Sequence, residues 1–298
     1  MRCLIINADG YGFTEGITRA IEECIDFGTV RSISANVNFP HASRLSELVR
    51  RHPDLSVGCH LNPIVGRPVL DPLEVPSLVD GEGNFFYKSF VERFRTGKIR
   101  LKEIQIELTA QIDRARRLAG DCFSHVDFHM GLHRLPRLYP LFLDVAEASR
   151  TGRIRTHRYR VGMESRNPRA RHFAHLITSP ERLAKFGWNV LLRWWALKRG
   201  LAMPDYRVTI TSMESRPESI SVSNYCRMLQ NLPVGYSEFV AHPAYLDDEL
   251  RRWSTYIEPR VAERSVLLSA EFRHALEESP SAKLAGYRGI PVVRQKES

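Results

Sequence analysis

Short apolar runs alternate along this chain with longer stretches whose apolar positions recur every three or four residues. "CLIINA" reads as a buried strand, and "TEGITRAIEECIDFG" as an amphipathic helix capped by Thr14 and stopped by Gly28. "VRSISANVN" and "LSVGCHLN" read as the second and third strands, with the helix "HASRLSELVRRHP" between them. Further on, the pattern predicts helices over "LKEIQIELTAQIDRARRLAG", "RLYPLFLDVAEASR", "SPERLAKFGWNVLLRWWALKRG" and "EPRVAERSVLLSAEFRHALEE". Strands are expected at "FSHVDFH", "YRVTI" and "SEFVAH", and "RIRTHRY" reads as strand passing into loop. The Pro- and Gly-rich stretch 63–86 has no clear period and is long for a plain connection, which makes it a candidate active-site loop.

Repeated strand–helix alternation predicts an α/β fold with a parallel sheet, either a barrel or a doubly wound sheet. Sites in both gather at the carboxyl ends of strands. Asp9, His60, Asp127, His129 and His242 all fall at such ends. Each alone has a structural explanation, as a turn former or a packed histidine. Five at one edge point to chemistry. Imidazole and carboxylate suit a divalent ion, zinc or magnesium, that activates water, while a carboxylate takes a proton and a histidine returns one. "SHVDFHMGLH" offers His125, Asp127, His129 and His133, with strand alternation placing the first three on one face.

Composition narrows the classes. The 298 residues are 43% hydrophobic and 26% charged, ordinary for one large domain. No run approaches the roughly 18 apolar residues of a membrane span, and the N-terminal apolar run is too short for a signal-peptide core, so a cytoplasmic location is expected. Five scattered cysteines without CxxC spacing suggest neither disulfides nor a zinc finger. Charge is local: between Ser165 and Gly200 eight Lys or Arg face one acid, Glu181, which accounts for +7 of the net +9. The Trp-bearing basic helix at 183–199 fits an interfacial element at an anionic membrane, or a helix whose aromatic face packs inward. No nucleic-acid module is present, and nucleic acid is not expected as a partner.

Four motifs in order, "IINADGYG", "VGCHLNPIVGRPV", "SHVDFHMGLHRLP" and "GYSEFVAHPAY", resemble the YdjC-like carbohydrate deacetylases over almost the whole chain. The "HPA" form and the basic stretch look more like the hopanoid-biosynthesis-associated branch. The resemblance implies a single-domain, deformed TIM-like (β/α) barrel over 1–298, with a basic helical insertion at about 165–203. It also implies metal-dependent removal of an N-acetyl group from an amino sugar, free or lipid-linked. Carried over residue by residue, Asp9 matches the base, His60 and His129 the histidine ligands, and His242 the general acid. Arg155 falls where an arginine orients the base or meets substrate. Asp127 could bond the far nitrogen of a ligand imidazole, with His133 beside it.

Two positions depart from the family. Gly10 stands where the family has the aspartate that completes the metal ligands, and Gly131 where it tends to have a histidine. Three outcomes are open: Asp9 or Asp127 takes the vacant position, water fills it, or the protein is a sugar- or glycolipid-binding barrel without turnover. If an aspartate normally stands at 10, restoring it should regain metal affinity. Oligomeric state, a homodimer included, is open.

Overall fold

The first strand is buried almost throughout because it is paired on both edges. This computed structural model describes residues 1–210, 217–279 and 282–292. Its strands are β1 (Arg2–Tyr11), β2 (Ser32–Ala35), β3 (Ser56–Leu61), β4 (Phe123–Phe128), β5 (Tyr159–Val161), β6 (Tyr206–Thr209), β7 (Gly235–Ala241) and β8 (Lys283–Ala285). All pair in parallel, in the order β4-β3-β2-β1-β7-β6-β5, with β8 added beside the start of β1. Val126 of β4 then bridges to Ile154, and its N–H donates to the Arg153 carbonyl at 3.0 Å. The ring of strands therefore meets again through residues 153–154, upstream of β5. The architecture is a single-domain, eight-stranded parallel α/β sheet of the TIM-like barrel type.

The helices are α1 (Glu15–Asp26), α2 (Leu45–Arg51), α3 (Phe90–Arg95), α4 (Leu101–Ala119), α5 (Tyr139–Ala148) and α6 (Pro168–Ile177). They continue with α7 (Pro180–Lys198), α8 (Val222–Gln230), α9 (Asp248–Trp253), α10 (Glu258–Leu267) and α11 (Ala270–Glu277). Thr14 caps α1 as expected, its hydroxyl accepting from the Ile17 N–H at 3.2 Å. The helix predicted from "EPRVAERSVLLSAEFRHALEE" is two helices, because Ser269 ends one register and caps the next at Phe272. Helices α3, α6, α8 and α9 and strand β8 were not expected. For α6 and α8 a signal exists in the caps: Asn167 accepts from the Ala170 N–H at 3.1 Å, and Ser221 caps at Asn224.

The stretch 63–86 carries no helix or strand, as its composition predicts, yet it is firmly tied down. The buried Glu107 of α4 accepts from the Val69 and Leu70 N–H groups at 2.9 and 3.1 Å, and Glu103 accepts from Ser77 at 2.7 Å. Val75, Leu78 and Phe85 are buried beneath it.

Most barrels of this kind are filled with branched apolar side chains. Here the interior positions are polar: Asn7, Ser32, Ser34, His125 and Glu238 are all fully buried or nearly so. Asn7 satisfies two of them and Asp9 as well, donating to Asp9 and Ser34 at 2.8 Å and accepting from Ser32 at 2.6 Å. The Tyr287 ring, just beyond β8, closes the floor by stacking on His125, centroids 3.7 Å apart and planes within 6°. Gly58 makes room for that imidazole, since a Cβ there would stand 2.3 Å from His125 Nε2.

Gly58→Ala therefore forces an overpacked floor. A loss of about 1–3 kcal/mol in stability is expected, read as a lower urea midpoint at unchanged slope. An unaltered midpoint would mean that His125 is free to move and the floor is not close-packed.

Candidate active site

The register of the sheet puts the chemistry in one layer. His60 of β3 pairs directly with Asp127 of β4, and Asp9 of β1 pairs with Ser34 of β2. β7 ends at Ala241 beside Ala8, so the next residue, His242, follows at the same mouth as Asp9. Asp9, His60 and Asp127 are buried.

One guanidinium holds this layer together. Arg155 donates to both oxygens of Asp9, Nη1 to Oδ2 at 2.8 Å and Nη2 to Oδ1 at 2.6 Å. The same Nη2 lies 2.6 Å from Asp127 Oδ2, and Nε donates to Glu238 Oε1 at 2.8 Å. Burial alone would raise the Asp9 carboxyl, but Arg155 and then His60 outweigh it and hold Asp9 far below the usual carboxylate range. Asp127 is lowered by the same two neighbours against the same burial. Glu238, buried more than it is compensated, is pushed up.

Asp127 lies against the His60 ring. Its Oδ1 pairs with His60 Nδ1 at 2.8 Å, and its Oδ2 accepts from Ser34 at 2.9 Å. This leaves His60 Nε2 as the outward nitrogen. Burial would lower the His60 pKa, yet Asp127 and Asp9 raise it overall. The His129 ring meets His60 edge-on at 5.2 Å, and burial followed by the charge of His60 keeps it neutral, near 3.

His242 is half-buried, with 15% of its side chain open, and burial and then Arg260 push its pKa down. Its backbone N–H donates to the Glu263 carboxylate of α10, and its Nδ1 lies 4.0 Å from Glu263 Oε2. Glu263 also accepts from the Tyr256 hydroxyl at 2.8 Å, and burial lifts its pKa to about 7. Sequence reasoning missed Glu238 and Glu263. Glu238 shares the period-two face of β7 with His242, a signal that was available; Glu263 lies on a separate helix, with no local signal. His133 is placed apart, in an aromatic cluster 4.6 Å from Phe142 and 5.1 Å from His157, outside the carboxylate network.

Ligand atoms of Asp9, His60 and Asp127 all lie within 4.8 Å of one another, a buried group that could hold a metal ion. The donor chemistry fits a divalent cation: among the described residues, His60 Nε2 has no hydrogen-bond partner, His129 is neutral, and Asp9 Oδ2 takes a hydrogen bond from Arg155 alone. Gly10 adds nothing. It sits at a β-bulge between Asp9 and Tyr11 with φ +102°, where a Cβ would meet Ile17 of α1 at 3.5 Å. An aspartate at 10 would be strained and, in this backbone, would start out toward Ile17. The geometry thus opposes the expectation that a restored aspartate by itself regains metal affinity.

His125 and His157 are buried and held near 3, and His133 is held well below its ordinary value, in each case chiefly by burial. The unfolded chain protonates these groups near pH 6.5, so below that pH it binds more protons than the native state. Stability should fall as pH drops from about 6.5 towards 3, by roughly 1.4 kcal/mol per pH unit for each histidine. Urea titrations at stepped pH test this. A flat profile between pH 6.5 and 4.5 would mean that these imidazoles are protonated in the fold.

Residues 3–278 match the YdjC-like protein family. A chitooligosaccharide deacetylase of Yersinia enterocolitica is 30% identical over 281 residues, 93% of this chain and 95% of the relative. A carbohydrate deacetylase of Thermoanaerobacter pseudethanolicus is 28% identical over 267 residues, 90% and 91% of the two chains. Among solved structures, one from Enterococcus faecalis, described as a proposed cellobiose-phosphate cleavage protein, superposes with a TM-score of 0.70. It is 28% identical and covers 96% of this chain and 97% of its own. With a family match running nearly end to end, this chain belongs to the YdjC-like proteins.

Proposed function

We propose that this protein hydrolyses the N-acetyl group of an acetylated amino sugar, releasing acetate and the free amine. The reading is supported by the deacetylase relatives. The observation that carries it is the convergence of an ionised Asp9, the His60–Asp127 pair, His129 and His242 at one barrel mouth. A divalent ion held by His60 and His129 would supply Lewis acidity at the acetyl carbonyl and make water easier to deprotonate.

The residues divide the proton work. Asp9 is ionised at any ordinary pH and keeps a lone pair on Oδ2 to receive the proton of the attacking water. Its pairing with Arg155 makes it a weak base, so it serves best where the water is already acidified. His242 returns a proton to the leaving nitrogen, but it is neutral at rest. Glu263, held up to about 7, is protonated below neutrality and would resupply His242 once its carboxyl, 4.0 Å from Nδ1, closes to hydrogen-bond distance. A lipid-linked amino sugar, of the kind implied by the likeness to the hopanoid branch, extends the same chemistry to a larger substrate.

Asp9→Asn should lower kcat for acetate release from an N-acetylated chitooligosaccharide by about 10²–10⁴-fold. His60→Ala should abolish turnover together with bound divalent metal, measured by mass spectrometry of the purified protein. Acetate release unaffected by His60→Ala would sink the mechanism. Saturable sugar binding without acetate, in protein stripped of metal, would establish a binding barrel in its place.

The Glu263 assignment has its own signature. Activity should decline on the alkaline side as Glu263 loses its proton, with an apparent pKa of about 7. Glu263→Gln should remove that limb from the kcat–pH profile. If the limb persists in the variant, another group controls it.

A further inference from the structure

Helix α7 has two apolar faces, and the barrel uses one. Leu192 and Ala196 are buried, Trp188 donates to the Arg134 carbonyl at 2.9 Å, and Trp195 packs on Tyr139 at 5.8 Å. The opposite face carries Leu183, Phe186, Val190, Trp194 and Leu197, spaced three and four residues apart, each 44–56% exposed. Phe173 and Ile177 of the neighbouring α6 are also open, at 63% and 55%. The inward-packing aromatic helix is thus only half of the arrangement: a second apolar stripe faces outward. An exposed stripe of this length is unusual on a monomeric soluble protein and marks an interaction surface.

Charge identifies the partner. Arg199 is taken up by Asp144 and Glu147 of α5, Lys185 by Glu181, and Arg193 turns inward to Thr156 and the Pro204 carbonyl. Among the described residues, Arg166, Arg169, Arg171, Arg182 and Lys198 have no carboxylate in ion-pair contact. Pairing this face with a second copy would set these cations against their own equivalents. An anionic lipid surface accepts both the apolar stripe and the charge. No helix among the described residues is long and apolar enough to cross a membrane, so the contact is peripheral.

We infer that the outer face of α6 and α7 docks on anionic phospholipid, by inserting the Leu183–Leu197 stripe between headgroups engaged by the surrounding arginines. The face leads off the carboxyl end of β5, the end at which the catalytic side chains gather. The inference rests on the stripe and its charges alone and stands whether or not the site turns over.

Sedimentation of the full chain with phosphatidylglycerol-containing vesicles, against pure phosphatidylcholine vesicles, tests it. Binding is expected to the anionic vesicles and to weaken with salt. Val190→Glu/Trp194→Glu should reduce partitioning at least tenfold, and reversing Arg169 or Arg182 to Glu should cost roughly fivefold or more each. Leu73→Glu, at an exposed leucine remote in sequence from the stripe, should change nothing. Circular dichroism confirms that each variant is folded. Failure to bind anionic vesicles, or binding indifferent to Val190→Glu/Trp194→Glu, overturns the inference. So does a concentration-dependent dimer that the same variant dissolves, which would assign the face to self-association.

Discussion

Arg155 is the constraint around which the interior of this barrel is arranged. A guanidinium without water is tolerable only when its donors are matched by acceptors in its own plane. Asp9, Asp127 and Glu238 provide them from three strands, so the cation ties β1, β4 and β7 together at the level of the site. The carboxylates need the cation as much as it needs them, since two ionised aspartates so close together would otherwise drive one to protonate. Burial raises each of them, and the guanidinium more than reverses it. Apolar packing holds the helices to the outside of the sheet, whereas the lumen is held by charge-assisted hydrogen bonds.

This division explains what the sequence reveals. Elements that bury an apolar face, such as β1, α1, α4 and β7, show their period directly and fall where the pattern places them. The candidate residues were legible because they end those strands. Partners that act across the barrel were not. Glu263 reaches His242 from α10, and the contacts of Arg155 span 83 and 146 residues. Short pieces failed for a different reason: β8 and α9 are three and six residues long, too brief for either period to register, and they owe their form to tertiary contacts. Trp188 and Trp195 pack inward, as one reading of the basic helix held, while the outward stripe needed the surface itself to be seen.

Gly10 is more than a missing side chain. The register of β1 against β2 slips between Asp9 and Tyr11, and the glycine takes up that slip with a positive φ. Beyond the slip, Tyr11 pairs with Ala35 and reaches Glu22 through its hydroxyl at 2.9 Å, while Asp9 stays aimed at Arg155. An aspartate at 10 would have to trade backbone strain for a ligand. The chain instead keeps a relaxed bulge and an Asp9 whose Oδ2, among the described residues, is met by Arg155 alone.

The charge state of His60 shows what such a site still asks for. Burial should drive protons off this imidazole, as it does at His125, His129 and His157, yet the net effect on His60 is the reverse. The cause is negative potential from Asp127 and Asp9 that Arg155 does not fully cancel. Because Nδ1 is committed to Asp127, the unmet attraction for positive charge is felt at Nε2. A nitrogen that binds a proton more tightly than its burial allows is also one that favours a cationic Lewis acid, and proton and metal compete for the same lone pair. Metal affinity here should therefore weaken as pH falls below the raised His60 value. The guanidinium sets how much negative charge is left over for an ion to meet.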